Sequence, residues 1–180
     1  TAHTLGLLMG VEVAQIETPI NASLELLGTI EPVFKSLPTR PGWAYAIKPS
    51  SNAGFLAASR LQAANIPIYR TSDWFEVNGQ EYAPGSWLIV PTDETESILE
   101  TVAVETGLVV QGIDEPVTVA GHRLRDSTRV GLWRAANNMP GGWMLWLFEQ
   151  YELNHTTISS TDFNGALSEK YDVIVLPSGT

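Results

Sequence analysis

The stretch RVGLWRAANNMPGGWMLWLFEQYEL, residues 129–153, decides the fold prediction, because it contains an apolar strand, a turn and a long apolar helix in succession. RVGLW is typical of a strand, and GGWMLWLFEQYEL is typical of a helix. The apolar side chains that helical spacing brings to one face are Trp143, Met144, Leu147, Phe148 and Tyr151. We expect this face to be buried, and a face that wide needs a sheet beneath it.

Two more strands are predicted after this helix, in HTTISST at 155–161 and YDVIVLP at 171–177. The unbroken apolar run from Val173 to Leu176 is typical of a strand that is buried on both faces. Strand, helix and strand in alternation predict an α/β fold with a mainly parallel sheet and flanking helices. Because the chain ends just after this strand and begins without Met or a signal peptide, we also expect it to be an internal piece of a longer chain.

The middle of the chain carries clear signals for helices, strands and a hairpin. Strands are predicted in WAYAI, IPIYR, GSWLIVP and LVVQGI, and helices in SNAGFLAASRLQAAN and TDETESILETVAVETG. Asn78 and Gly79 predict a hairpin, because a type I′ turn needs positive φ at both positions. Asp93 is the predicted N-cap of the second helix, with Glu96 completing a capping box, and Gly107 is its predicted left-handed C-cap.

These patterns divide the chain into three predicted regions. Residues 1–42 form an irregular or extended segment, with extended stretches in 11–20 and 24–34 and a Pro-rich linker around 36–42. Residues 43–116 form an α/β unit with a hairpin at 74–90. Residues 117–180 form the last unit, which begins with a connection.

Composition limits the possible partners. The 180 residues carry ten Lys and Arg against twenty Asp and Glu, a formal net charge of -10, with no basic cluster. Nucleic acid is therefore a poor partner, since its phosphates would be repelled. No apolar stretch is long enough to span a membrane, and the absence of cysteine excludes thiolate zinc sites and a cysteine nucleophile from this chain.

The chain contains no convincing set of catalytic or metal-binding residues. His3, His122 and His155 lie far apart without metal-ligand spacing, and Ser178 lies in a turn without a nucleophile motif. The best candidate for a ligand or an interface is the turn between strand and helix at 134–142, together with the Trp cluster around it. The candidate residues are Trp133, Arg134, Asn137, Asn138, Trp143 and Trp146. Trp143 is more simply explained as a core residue, whereas Trp146 lies off the main stripe and fits contact with another domain.

Several motifs in order resemble the region that follows the catalytic domain in large bacterial carboxypeptidase A-like zinc peptidases. That region has a strand of the type Arg-Ile/Val-Gly-Leu-Tyr/Trp, then Asn-Met, Gly-Trp, a second Trp and Glu-Gln-Tyr, and later Tyr/Phe-Asp-Val-Ile-Val-Leu-Pro. Here these motifs are residues 129–133, 138–139, 142–143, Trp146 with 149–151, and 171–177. The stretches TAHTLGLLMGVEV and AYAIKPSSNAGFLAASRLQAANIPIYR are similar to upstream parts of the same region, so the resemblance covers nearly the whole chain.

The resemblance implies a non-catalytic accessory region of a secreted or periplasmic zinc carboxypeptidase, which removes C-terminal residues from peptides. It implies that the peptidase domain of the same parent chain is the partner and that zinc is bound there, since no position here matches the zinc ligands or the catalytic glutamate of the family. The family loop often reads Met-Asp-Glu-Gly-Trp, whereas this chain has Met139, Pro140 and Gly141 before Gly142 and Trp143. It also implies that the last unit is the first half of a flavodoxin-like sheet of the class I glutamine-amidotransferase type.

Two alternatives stay open at this point. One is an α/β module that binds a peptide or another small ligand at the turn 134–142. The other is a fragment of an amidotransferase-like enzyme, whose nucleophile would lie outside these residues.

Overall fold

The computed structural model describes residues 14, 16–26, 28–29 and 36–178. Within them the secondary structure forms two successive units, in residues 44–123 and 130–175. The extended stretches predicted in 11–20 and 24–34 fall partly outside the described residues, and their described residues form no strand.

The first unit contains seven strands and two helices. Its strands are β1 (Ala44–Ile47), β2 (Ile68–Thr71), β3 (Phe75–Val77), β4 (Gln80–Tyr82), β5 (Trp87–Ile89), β6 (Gln111–Ile113) and β7 (Gly121–Arg123), and its helices are α1 (Ala53–Ala63) and α2 (Asp93–Thr106). Five strands form one sheet in the order β6-β1-β5-β2-β7, and every pair in it is antiparallel. β3 and β4 form a separate hairpin.

This antiparallel sheet contradicts the predicted fold class. The chain is not built on a mainly parallel sheet with flanking helices, and the flavodoxin-like fold class is wrong for it. β1 and β2 are connected through α1 as a parallel crossover would be, but β5 lies between them and pairs antiparallel with both. The order of β1, α1, β2, β5, α2 and β6 is the βαββαβ arrangement of ferredoxin-like folds, with β7 added at one edge. Strand–helix alternation does not reveal which strands are neighbours, and this is why it misled the prediction.

The helices of the first unit begin and end close to where the sequence predicts. The N-cap of α2 is Thr92 instead of Asp93, since the Thr92 side chain accepts a hydrogen bond from the backbone N–H of Thr95. The capping residue is thus one position earlier than predicted, and Asp93 is free to pair with Arg40. Gly107 ends α2 in the left-handed region with φ 72°, as predicted.

The sheet of the first unit is covered on both faces. α1 and α2 pack on one face, where Leu61, Leu99 and Val102 are fully buried against Tyr45 and Ile89. The hairpin packs on the other face, where Tyr82 is fully buried and stacks on Phe75 at a ring separation of 4.6 Å. Asn78 and Gly79 both have positive φ, so the predicted hairpin turn is confirmed.

The second unit is a small parallel sheet with one long helix. Its strands are β8 (Val130–Trp133), β9 (Thr156–Ile158) and β10 (Val173–Val175), its helices are α3 (Met139–Gln150) and α4 (Leu167–Lys170), and a 3-10 turn spans Ser160–Asp162. The strand order is β10-β8-β9, and both pairs are parallel. Among the residues that the structure describes, parallel pairing is therefore confined to these three short strands.

The predicted burial of one α3 face is wrong in part. Met144, Phe148 and Tyr151, predicted to be buried, are half-buried, whereas Trp143 and Leu147 are exposed. The half-buried side of the helix also includes Leu145, which was not part of the predicted stripe. The buried side is therefore rotated relative to the prediction, and Trp143 and Leu147 point outward. Val173 and Leu176, predicted to lie in a strand buried on both faces, are also exposed.

Candidate functional site

The connection from β8 to α3 contains four of the six candidate residues. Trp133 ends β8, Arg134 and Asn137 are exposed in the loop, and Asn138 is the N-cap of α3. The backbone N–H of Arg134 donates to the carbonyl of Ile158 at 3.0 Å, which extends the pairing of β8 with β9 by one residue. The sequence therefore correctly assigns these four residues to one strand–loop–helix connection.

Asn138 fixes the start of α3. Its Oδ1 accepts a hydrogen bond from the backbone N–H of Gly141 at 2.9 Å, which satisfies one of the free N–H groups that begin a helix. Asn138 Nδ2 is buried and has no partner among the described residues, and the same is true of Trp133 Nε1. The Trp133 ring meets Phe163 edge to face at 5.1 Å. The connection thus contains two buried N–H donors that could serve an acceptor.

The other two candidates, Trp143 and Trp146, lie on the outer side of α3. Trp143 is 64% exposed and Trp146 is 51% exposed, and their rings meet edge to face at 5.9 Å. Met139 and Leu147 are exposed beside them. At 3.6 residues per turn these four positions cover an arc of about 100°. We call Met139, Trp143, Trp146 and Leu147 the outer face of α3.

This outer face carries four large apolar side chains and no charge, and the polar residue within the same arc is Gln150 in the last turn. The sequence of α3, MPGGWMLWLFEQ, contains a single charged residue, Glu149. Its inner side is also apolar, with Met144, Leu145 and Phe148 half-buried. A helix that is apolar all round normally lies in the interior of a larger structure. The outer face exposes roughly 400–500 Å² of apolar surface, as large as the largest patch on an ordinary monomer.

An ion pair fixes the sheet beneath this helix. Asp172 accepts from the Arg129 guanidinium at 2.8 and 3.1 Å, and also from the Arg129 backbone N–H at 2.8 Å. These hydrogen bonds hold the pKa of Asp172 well below its usual range. These contacts hold the start of β8 beside the start of β10, so the sheet against which α3 packs has a fixed strand pairing.

Sequence reasoning missed part of this surface. It named the two Trp residues but not Met139 or Leu147, and it placed Trp143 and Leu147 in the core. The composition of α3 was the available signal. A single buried stripe does not account for apolar residues on both sides of the helix, so one apolar side had to be exposed or covered by a partner.

The described residues contain no group of three or more His, Asp or Glu side chains placed to hold a metal ion. None of the helices in the described ranges is both long and apolar enough to cross a membrane. No family model matches this chain, and neither a curated protein nor a solved structure shows significant similarity to it.

Proposed function

We propose that this chain is a non-catalytic accessory region of a carboxypeptidase A-like zinc peptidase, and that it packs against the peptidase domain of the same parent chain. The observation that carries this proposal is the outer face of α3, an exposed apolar surface on a helix whose inner side is also apolar and whose one charged residue is Glu149. The order and spacing of the motifs in 129–177 support the choice of family.

The size of the outer face favours a tethered partner. Covering it would bury about 800–1,000 Å² when both sides are counted, which falls within the range of about 600–1,500 Å² for contacts between domains of one chain. A specific complex of separate proteins usually buries about 800 Å² on each partner. A contact of this size is more readily held when both partners belong to one polypeptide, because the tether raises the effective concentration.

The peptidase domain would supply the zinc and the reaction, and this region would support and shape the substrate cleft. By the same resemblance we expect the parent protein to be secreted or periplasmic. The first test is the coding sequence upstream of Thr1. A His-x-x-Glu motif followed by a later His is expected there, and an upstream region without such a motif would contradict the proposal.

The second test uses the parent chain with Trp143→Ser and Trp146→Ser together. Hydrogen exchange of the backbone of α3 is expected to be slow in the parent chain and to become faster in this variant. Trp74→Ser is the matched control, because Trp74 is 65% exposed in the first unit and should leave α3 unchanged. If α3 exchanges equally fast in the parent chain and in the isolated region, the outer face does not contact the peptidase domain. If the peptidase domain made alone keeps full activity and stability, the role in shaping the cleft is wrong.

A second candidate function is favoured by the two buried donors, Trp133 Nε1 and Asn138 Nδ2. In this case residues 134–142, which comprise the connection from β8 and the first turn of α3, would bind a peptide or another ligand that is rich in hydrogen-bond acceptors. Titration with peptides and glycans, followed by Trp fluorescence, is expected to change the emission of wild type but not of Asn138→Asp, which keeps an oxygen that caps α3 and removes the Nδ2 donor. Unchanged emission with all ligands would exclude this function for the ligands tested.

A further inference from the structure

Glu152 has an unusual backbone conformation directly after α3. Its φ is 51°, in the left-handed region that favours glycine. The backbone N–H of Leu153 donates to the carbonyl of Phe148 at 2.8 Å, and that of Glu152 donates to Glu149 at 3.2 Å. This is the way many helices end, with glycine as the usual residue at the position that Glu152 occupies.

A glutamate is doubly unfavourable at this position. The left-handed conformation strains a residue that has a Cβ atom, and a negative charge lies near the negative end of the helix dipole. Such a residue persists when another interaction offsets these costs.

The carboxylate of Glu152 makes that interaction with the other unit. Arg60 in α1 donates to it through Nε at 3.1 Å and through Nη2 at 2.8 Å. The third guanidinium nitrogen, Nη1, lies 2.8 Å from Glu105 at the end of α2. Arg60 thus connects α1, α2 and the second unit, and its guanidinium holds the pKa of Glu152 below the usual range.

Within the described ranges, few other contacts set the angle between the two units. Tyr151 packs against the helix-side core of the first unit, and Gln62 Nε2 donates to the backbone carbonyl of Arg125 at 2.8 Å. Beside the Arg60–Glu152 pair a cleft of about 360 Å³ separates the units. Ser59, Ala63, Thr128, Phe148 and Asn154 are among the residues that line it. Domains with a small shared interface are expected to move relative to each other.

We propose that the Arg60–Glu152 pair is a latch that fixes the orientation of the second unit, and that the unit turns about residues 125–128 when the latch opens. Opening would widen the cleft and change the direction in which the outer face of α3 points. This inference does not depend on the proposed function, because both members of the latch belong to this chain.

The test measures the distance between the units. The chain has no cysteine, so Ser97→Cys in α2 and Ser168→Cys in α4 allow two spin labels to be attached at exposed positions. With the latch intact we expect a single narrow distance distribution. Glu152→Gly, which relieves the backbone strain and removes the carboxylate, is expected to abolish the narrow peak and give a broad distribution.

Two further variants separate the latch from a general loss of structure. Glu105→Gln is the matched control, because it removes the other carboxylate on Arg60 and leaves the latch in place, so the narrow peak should remain. Glu152→Ala should broaden the distribution as Glu152→Gly does, while having a lower unfolding midpoint than Glu152→Gly, since alanine keeps the strain. A narrow peak in Glu152→Gly, or equal broadening in Glu105→Gln, would overturn the proposal.

Discussion

The two units use apolar residues at a similar density but enclose them to very different degrees. In the first unit the sheet has helices on one face and a hairpin on the other, and Tyr45, Ile89 and Leu99 are completely buried. In the second unit only Leu132 and Ile158 among the large side chains are as well buried. Apolar residues form a core only where a second layer of helices or strands covers them. The second unit has one sheet and one long helix, which leaves the outer side of that helix uncovered.

The largest expected effect compares one leucine from each unit. Leu61 in α1 is 0% exposed and Leu147 in α3 is 41% exposed. Leu61→Ala should lower the free energy of unfolding by about 2–5 kcal/mol, because it leaves a cavity in a packed core. Leu147→Ala should lower it by about 1 kcal/mol or less, because solvent already reaches that side chain.

Urea denaturation followed by circular dichroism measures both changes. Equal losses in the two variants would mean that the outer face of α3 is packed as tightly as the core of the first unit, and the two units would then not differ in packing.

In the first unit, features that depend on neighbouring residues were predicted correctly, whereas the pairing of strands that are distant in the sequence was not. The hairpin turn at Asn78 and Gly79 and the C-cap at Gly107 were predicted correctly, because each depends on the φ angles of one or two residues. The strand order was not, because β5 lies between β1 and β2 through pairing across some twenty to forty residues of chain. The hairpin itself was the available clue, since it brings the chain back antiparallel and so favours β5 pairing with β2.

Two local predictions, the N-cap of α2 and the buried side of α3, were wrong for a related reason. Thr92 and Asp93 are adjacent and both can accept a helix N–H, so the sequence could not choose between them. Likewise α3 has apolar residues on both sides, so the sequence alone does not show which side faces the sheet. The positions of β8 and Tyr151 decide that Trp143 points outward. Trp146, which lies off the stripe, is exposed as expected.

The next contrast uses two glycines of the second unit. A Cβ atom on Gly131 in β8 would lie 2.9 Å from Ile158 Cδ1 and 3.1 Å from the Tyr171 ring. Gly131→Ala should therefore destabilise the unit by about 1–2 kcal/mol, because Ile158 is itself buried and must shift. Gly142 in α3 has nothing within 4 Å of the same atom, so Gly142→Ala should stabilise it by about 0.5–1 kcal/mol through helix propensity.

Thermal unfolding of the two variants and of wild type measures these changes. The unfolding midpoint should be lower in Gly131→Ala and higher in Gly142→Ala. A loss of stability in Gly142→Ala would indicate that the outer side of α3 is already in close contact with something that the Cβ atom disturbs.

The smallest expected effect at neutral pH is electrostatic, and it appears on acidification. Each unit holds a carboxylate whose pKa is lowered by an arginine: Glu96 beside Arg40 in the first unit, and Asp172 beside Arg129 in the second. Because the folded-state pKa is depressed, each pair stabilises its unit at pH values above the unfolded carboxyl pKa of about 4. That contribution is lost as the pH falls through the folded-state pKa.

Acid should therefore affect the second unit first, since it has little core to compensate for the loss of the Asp172 pair. Because the pKa of Asp172 lies well below its usual range, most of its contribution is lost below about pH 3, so hydrogen exchange is followed from pH 7 down to about pH 1.5. The amides of β8 and β10 are expected to lose protection at a higher pH than those of β1 and β5. In Asp172→Asn the protection of β8 and β10 should be lower at pH 7 and less dependent on pH, whereas Glu96→Gln should leave these strands unchanged. Simultaneous loss of protection in both units would mean that they unfold as one body and that the large core of the first unit also supports the second.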